Sequence, residues 1–350
     1  MLRALLVAGV AAFAFVLSRV DLGGATALLR AGGPLLLLAL IPYAAQIGLD
    51  ALAWRTLLGA LERRVRWRRL FAIRLATEAV LMSVPGGSVV GETLKPYLLH
   101  RTDAVPAADT VASIGAKKCL LVFAQVAYLT VALAVGWGAL AAHSRAIVGG
   151  DGLPWIVVAA IAALIVVGLV LSATFLAGAI GERVHRLLLR VPSARFRGWI
   201  AARRDAFAAT DASFRALGAA PRRHLGAAFA ALFAAWLVEA AETWLLLRLL
   251  GLALPLDHVL IMEASVVFVR NVAFFVPAGL GVQDAGYVAF LQAFGAGAGG
   301  AAAGAFVILK RAKELLWVAV GYLTLFVLQA RDPRAPQSSH ASLLVTTEAA

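Results

Sequence analysis

An all-α integral membrane protein is the fold class this sequence predicts, on three observations. Of its 350 residues, 62% are hydrophobic and only 15% are charged, and the mean hydropathy is +0.88, far outside the range of soluble domains. Apolar runs long enough for a bilayer, which takes about 20 residues, cover 2–18, 34–58, 107–140, 154–179, 224–250 and 303–329. Two further apolar stretches, 70–100 and 259–296, are broken in the middle. About six spanning helices and two broken, re-entrant hairpins thus form a single polytopic domain over 1–330.

The first run, "MLRALLVAGVAAFAFVLSRV", has a basic start and an apolar core like a signal peptide, with "ATA" at 25–27 as a cleavage-like site. A retained helix fits the charge pattern better. Arg63, Arg64, Arg66, Arg68, Arg69 and Arg74 stand against Glu62, a net +5 over 61–74. Ten arginines between 181 and 223 stand against Glu182, Asp205 and Asp211, a net +7. The segments 141–153 and 251–258 carry 0 and −1. By the positive-inside rule both basic loops and both termini are cytoplasmic, in a bacterial inner membrane. The net charge of +13 therefore points to anionic lipid headgroups rather than to nucleic acid.

Within 181–223, Phe196, Ile200, Phe207, Phe214 and Leu217 recur at helical spacing with arginines between them. The segment reads equally as an amphipathic helix on the cytoplasmic interface or as one packed against the membrane domain. The tail 331–350, rich in Pro, Ser, Ala and Thr, reads as disordered. Cys119 is the single cysteine, so there is no disulfide framework.

The two broken stretches resemble one another. "SVPGGSVVGETLKPYLLHR" (83–101) and "FVPAGLGVQDAGYVAFLQ" (275–292) align Pro85 with Pro277, Gly87 with Gly279 and Glu92 with Asp284 at a shift of 192. Downstream, Lys117 aligns with Arg311 and Tyr128-Leu129-Thr130 with Tyr322-Leu323-Thr324 at a shift of 194. Upstream, Trp54 aligns with Trp244 at a shift of 190. The chain thus holds two similar halves, about 34–140 and 224–329. Counting crossings, the second half enters the membrane from the opposite face. Inverted repeats with discontinuous helices in matching places point to a transporter with its site near the midplane.

Each proline–glycine break leaves backbone groups unpaired at membrane depth, which is tolerated only inside protein or beside a watery cavity. Glu92 and Asp284 follow the glycines Gly86, Gly87 and Gly91, and Gly279 and Gly281, at the start of the returning half-helix. Acids cap helix N-termini there, or they face a transported headgroup whose phosphate the free amides bind. Their recurrence favours the second reading. Lys117 and Lys118, matched by Lys310, Arg311 and Lys313 at the start of the following helices, are cations for lipid phosphate or for the acids themselves, and Lys95 is a further candidate headgroup contact. Glu78 and Arg270, each seven residues before a hairpin proline, are a candidate cross-repeat ion pair. Glu239, Glu242 and Arg248 read as local helix-face pairs, and Arg101, Asp103 and Asp109 as solvated at the interface.

No enzyme constellation emerges, and no cofactor is expected. The histidines are scattered, there is no HExxH, and the one nucleotide-like loop (Gly86, Gly91, Thr93) has Glu92 where lysine is required.

"VPGGSVVGETLKPYLLHR" and "FVPAGLGVQDAGYVAFL" resemble the two Pro-Gly signatures of the lysylphosphatidylglycerol synthase transmembrane-region family, over about 30–330. This family includes the flippase-like membrane half of the multiple peptide resistance factor and its stand-alone relatives. The resemblance implies a polytopic inner-membrane protein that moves a modified phospholipid between leaflets. It also implies no synthase activity, since the aminoacyltransferase that follows in two-part relatives is not in this sequence. Some stand-alone relatives resemble proteins found with hopanoid pathways, so an anionic or modified phospholipid, or a hopanoid or polyprenoid lipid, is the expected partner, with a lipid-modifying enzyme as a further one. Two other readings stand beside a translocase: a non-transporting accessory protein of lipid modification, and a proton-coupled carrier of a small solute. No sequence feature specifies an oligomer.

Overall fold

The computed structural model describes residues 21–83, 87–272, 276, 279–296 and 300–330. The expected span 2–18, the tail 331–350, and Pro85, Gly86 and Pro277 lie outside them. Regular structure among the described residues is entirely helical. Five helical runs, Leu22–Ala60, Ala107–Val148, Leu153–Phe175, Arg222–Leu249 and Ala301–Ala330, are long and apolar enough to cross a membrane. They coincide with the five expected spans that fall on described residues. The protein is an all-α integral membrane protein, and its outer faces agree: Trp155, Val166, Leu169, Leu323 and Phe326 are all more than half exposed, which lipid tolerates and water does not.

The chain enters through α1 (Leu22–Gly32), capped by the Asp21 carboxylate on the Gly24 N–H at 3.0 Å. A 3-10 segment, Gly33–Ala39, leads into α2 (Leu40–Ala60). The first hairpin is α3 (Trp67–Ser83) and α4 (Gly87–Asp103); α5 (Ala107–Val148) and α6 (Leu153–Leu176) follow. The second half repeats the order with α10 (Arg222–Leu249), the hairpin α11 (Leu256–Val272) and α12 (Val282–Ala293), and α13 (Ala301–Ala330).

Both hairpins turn back on themselves. Gly91 in α4 lies against the Thr77 carbonyl and Leu81 of α3, and Gly286 in α12 lies against Val266 of α11. At 1.5 Å per residue the 17-residue arms reach about 26 Å and the 12-residue α12 about 18 Å, short of a roughly 30 Å hydrocarbon core. α2 and α10, the leading helices of the two halves, pack on each other. Gln46 bonds Glu239 while His224 bonds the Thr56 carbonyl: residue numbers rise along one helix as they fall along the other. The leading helices are therefore antiparallel, as an inverted repeat requires.

The halves also interlock crosswise. The last helix of each, α5 or α13, packs on the leading hairpin arm of the other, α11 or α3. Close approach at these two crossings depends on glycine. A Cβ on Gly136 would stand 2.6 Å from Ile261, and one on Gly321 would stand 2.6 Å from Ala79. Small residues at helix crossings are how membrane helices gain packing energy when lipid gives them no hydrophobic drive.

Between the halves the arginine-rich segment folds as three helices rather than one: α7 (Ile180–Leu188), α8 (Ala194–Ala201) and α9 (Arg204–Ala219). Asp211 of α9 caps the start of α7, accepting from the N–H groups of Gly181 at 2.7 Å and Glu182 at 3.0 Å. Phe214 and Leu217 are buried in the main apolar core against α5, so packing is one half of what this segment does. Its other face stays exposed, with Leu187 and Trp199 among the arginines.

Candidate site between the inverted halves

The sequence places charge inside the membrane, and the fold collects it into three groups. In the first hairpin, the Glu92 carboxylate accepts from Lys95 Nζ at 2.7 Å through Oε2 and forms an ion pair with Lys118 Nζ at 2.7 Å through Oε1. Lys95 is 2% exposed, so its ammonium depends on that partner. In the second, Asp284 accepts from Arg311 Nε and Nη2, both at 2.9 Å, and from the Gly281 N–H at 2.9 Å. Such a fork-to-fork guanidinium–carboxylate pair is among the stronger polar contacts available. Gly279 and Gly281 supply the positive φ of this tip, +61° and +79°. Lys310 binds Tyr287 at 2.6 Å, Thr243 at 3.1 Å and Glu263 at 3.2 Å, and Lys313 pairs with Glu242.

Glu92 with Lys118 and Asp284 with Arg311 are thus the same pairing made twice, acid at the returning arm and base on the next helix. Each acid is bound within its own half, and Asp284 is a helix cap besides. Lys117 departs from the set: its Nζ lies 2.6 Å from Asp50. Gly87 opens α4.

The third group joins the halves. Asp50 on α2 accepts from Arg74 Nε of α3 at 2.8 Å, and Arg74 also pairs with Glu78 one turn on. In the other half, Glu239 on α10 accepts from Arg270 Nη1 of α11 at 3.2 Å and from Gln46 Nε2 of α2 at 2.9 Å. Each half therefore contributes one ion pair between its leading helix and its leading hairpin arm. Both pairs line one cavity of about 150 Å³, with Tyr43, Leu121 and Trp236 also in its wall. That is several times the roughly 30 Å³ share of one liquid water. The Trp236 ring stacks on Tyr128 with centroids 5.9 Å apart, while its buried Nε1–H has no acceptor among the described residues.

Four expectations change here. Glu78 and Arg270 share the cavity without pairing, because each has a nearer partner in its own half. Glu239 and Glu242 pair with Arg270 and Lys313 from other helices, and Arg248 lies over the Trp244 ring at 5.2 Å. Asp109 is 8% exposed and held by Arg63 at 2.7 Å and Ser213 at 2.6 Å. Arg74, the last arginine of the basic loop, is an internal ion-pair partner. The cavity residues Asp50, Arg74, Glu239, Arg270, Gln46 and Trp236 were not singled out as a site by sequence reasoning. The signal was present: Asp50 to Glu239 is a shift of 189 and Arg74 to Arg270 one of 196, on either side of the 190–194 of the repeat.

A model of the lysylphosphatidylglycerol synthase TM region matches residues 1–330. The chain belongs to that family. No curated protein and no solved structure matches the chain. Membership of the lysylphosphatidylglycerol synthase TM family ties the protein to lipid modification or transport.

Proposed function

We propose that the protein is a lipid translocase without enzymatic activity, passing the polar headgroup of a modified or anionic phospholipid, or of a hopanoid or polyprenoid lipid, across a bacterial inner membrane. The carrying observation is the cavity between antiparallel halves, to which each half brings one ion pair. A charged group in the centre of the hydrocarbon costs roughly 2.5–3.5 kcal/mol or more. Asp50–Arg74 and Glu239–Arg270 offer a headgroup both signs of charge in exchange for water, while acyl chains stay in lipid. Rocking of the halves about the α2–α10 seam would open the cavity to each leaflet in turn. The glutamate–lysine and aspartate–arginine pairs of Glu92 and Asp284 brace each returning arm to the next helix of its own half, with the basic loops and both termini in the cytoplasm and a lipid-modifying enzyme as supplier.

In vesicles reconstituted with the chain, headgroup-labelled lipid should exchange between leaflets, and Arg270→Gln should slow the exchange about tenfold, the equivalent of one lost charge-assisted contact. Exchange no faster than in empty vesicles would remove the proposal. Proton movement without lipid movement would replace it with solute transport.

A further inference from the structure

The two walls of the cavity do not offer the same chemistry. On the side of the first half, the bonds to Asp50 from the described residues end on Oδ1 and the bond to Glu78 ends on Oε2. That leaves Asp50 Oδ2 and Glu78 Oε1 as acceptors with no donor among the described residues. On the side of the second half, both oxygens of Glu239 are taken, by Arg270 and Gln46. The groups with unused bonding capacity there are donors. Trp236 Nε1–H, on a side chain 8% exposed, has no acceptor, and Arg270 bonds one carboxylate where Arg74 bonds two.

Charge gives the same answer. Asp50, Glu78 and Glu239 against Arg74 and Arg270 leave the lining at −1, and Lys117 on Asp50 at 2.6 Å returns the group to neutral. A neutral site with both signs exposed accepts a ligand of zero net charge without burying an uncompensated ion, and penalises one that brings a single sign.

We infer that the cavity selects a zwitterionic headgroup, its phosphodiester oxyanion on Arg270 and the Trp236 indole N–H and its ammonium on Asp50 and Glu78. The inference rests on translocation as the activity and names the class of lipid. Orientation follows from the walls: the ammonium faces α2 and α3, and the phosphate faces α10 and α11.

Native mass spectrometry of the full chain with 1-palmitoyl-2-oleoyl phosphatidylethanolamine or the matching phosphatidylglycerol tests it. The ethanolamine lipid should be retained about tenfold better, the size of one charge-assisted contact. Trp236→Phe, which keeps the ring on Tyr128 and deletes the donor, should reduce that retention severalfold. Glu78→Gln should shrink the difference between the two lipids. Equal retention of both lipids by the unaltered chain would overturn the inference. So would unchanged ethanolamine-lipid retention in both variants. Displacement by glycerophosphoethanolamine at equal concentration would assign the site to a water-soluble compound instead of a lipid. Leaflet exchange of phosphatidylglycerol at the ethanolamine-lipid rate would remove the preference and leave translocation standing.

Discussion

The two hairpins carry the same acid–base pairing and bury it to different depths. In the first, the side chains of Glu92 and Lys118 are 23% and 47% exposed; in the second, those of Asp284 and Arg311 are 3% and 9% exposed. The second half adds a closed network, Glu263 with Thr243, Tyr287 and Lys310, in which the glutamate is 0% exposed. Its returning arm is also shorter, 12 residues against 17. A repeat keeps the placement of charge because placement follows from the helix breaks, whereas burial depends on the surrounding side chains and drifts freely. The second half is built as a frame, and the first keeps its Glu92–Lys118 pair within reach of solvent or headgroups while burying Lys95 and Lys117.

Breaking that frame should have the largest effect. Glu263→Ala leaves Lys310 without its carboxylate in a dry interior, and removing one member of a buried pair costs about 3–5 kcal/mol. Thermal unfolding in detergent should show a marked loss, and Glu263→Ala melting with the unaltered protein would refute the frame. Next comes Asp284→Asn, which weakens the fork on Arg311 while keeping a capping oxygen for Gly281; about 1.5–3 kcal/mol is expected from charge-assisted bonding. Gly321→Leu, which drives a side chain into Ala79 and the Leu75 carbonyl, should cost about 1–3 kcal/mol as overpacking does and loosen α13 from α3. Lys118→Ala in the open hairpin should cost less than about 1 kcal/mol, as half-exposed pairs do. An equal loss for Lys118→Ala and Asp284→Asn in the same melting assay would erase the contrast between the hairpins.

Much of this architecture was legible in the sequence. Spans announce themselves by run length, and the breaks by proline with glycine, because both are properties of consecutive residues. The pairing partners were harder. Arg74 ends a run of arginines that belongs to a basic loop, and its direction into the protein is set by the α3 register against Asp50. Glu239 and Glu242 stand at a spacing that suits pairs along one helix, yet the facing helices supply Arg270 and Lys313. Glu92, Asp284 and Arg311 were visible because they recur at nearly one shift, but the alignment set Lys117 against Arg311, whereas its neighbour Lys118 makes the matching pair and Lys117 turns to Asp50. Asp50 and Arg74 recur in Glu239 and Arg270 at shifts a few residues off it, which alignment by identity passes over. The three-helix form of 180–219 depends on Asp211 reaching back to α7, a contact about thirty residues long in sequence.

α5 has 42 residues, about 63 Å at 1.5 Å per residue, twice the thickness of the hydrocarbon. One end is gripped by Arg63 and Ser213 through Asp109. At the other, His143 meets His258 and Phe294 with ring centroids 5.7 and 5.1 Å away. Between them Leu121 touches the cavity. Such a rod has the geometry of a lever, with the cavity beside its shaft rather than at either end. A tilt of a few degrees about that point would swing its two ends in opposite directions, tying the arginine-bearing helices to the far loop through one rigid body.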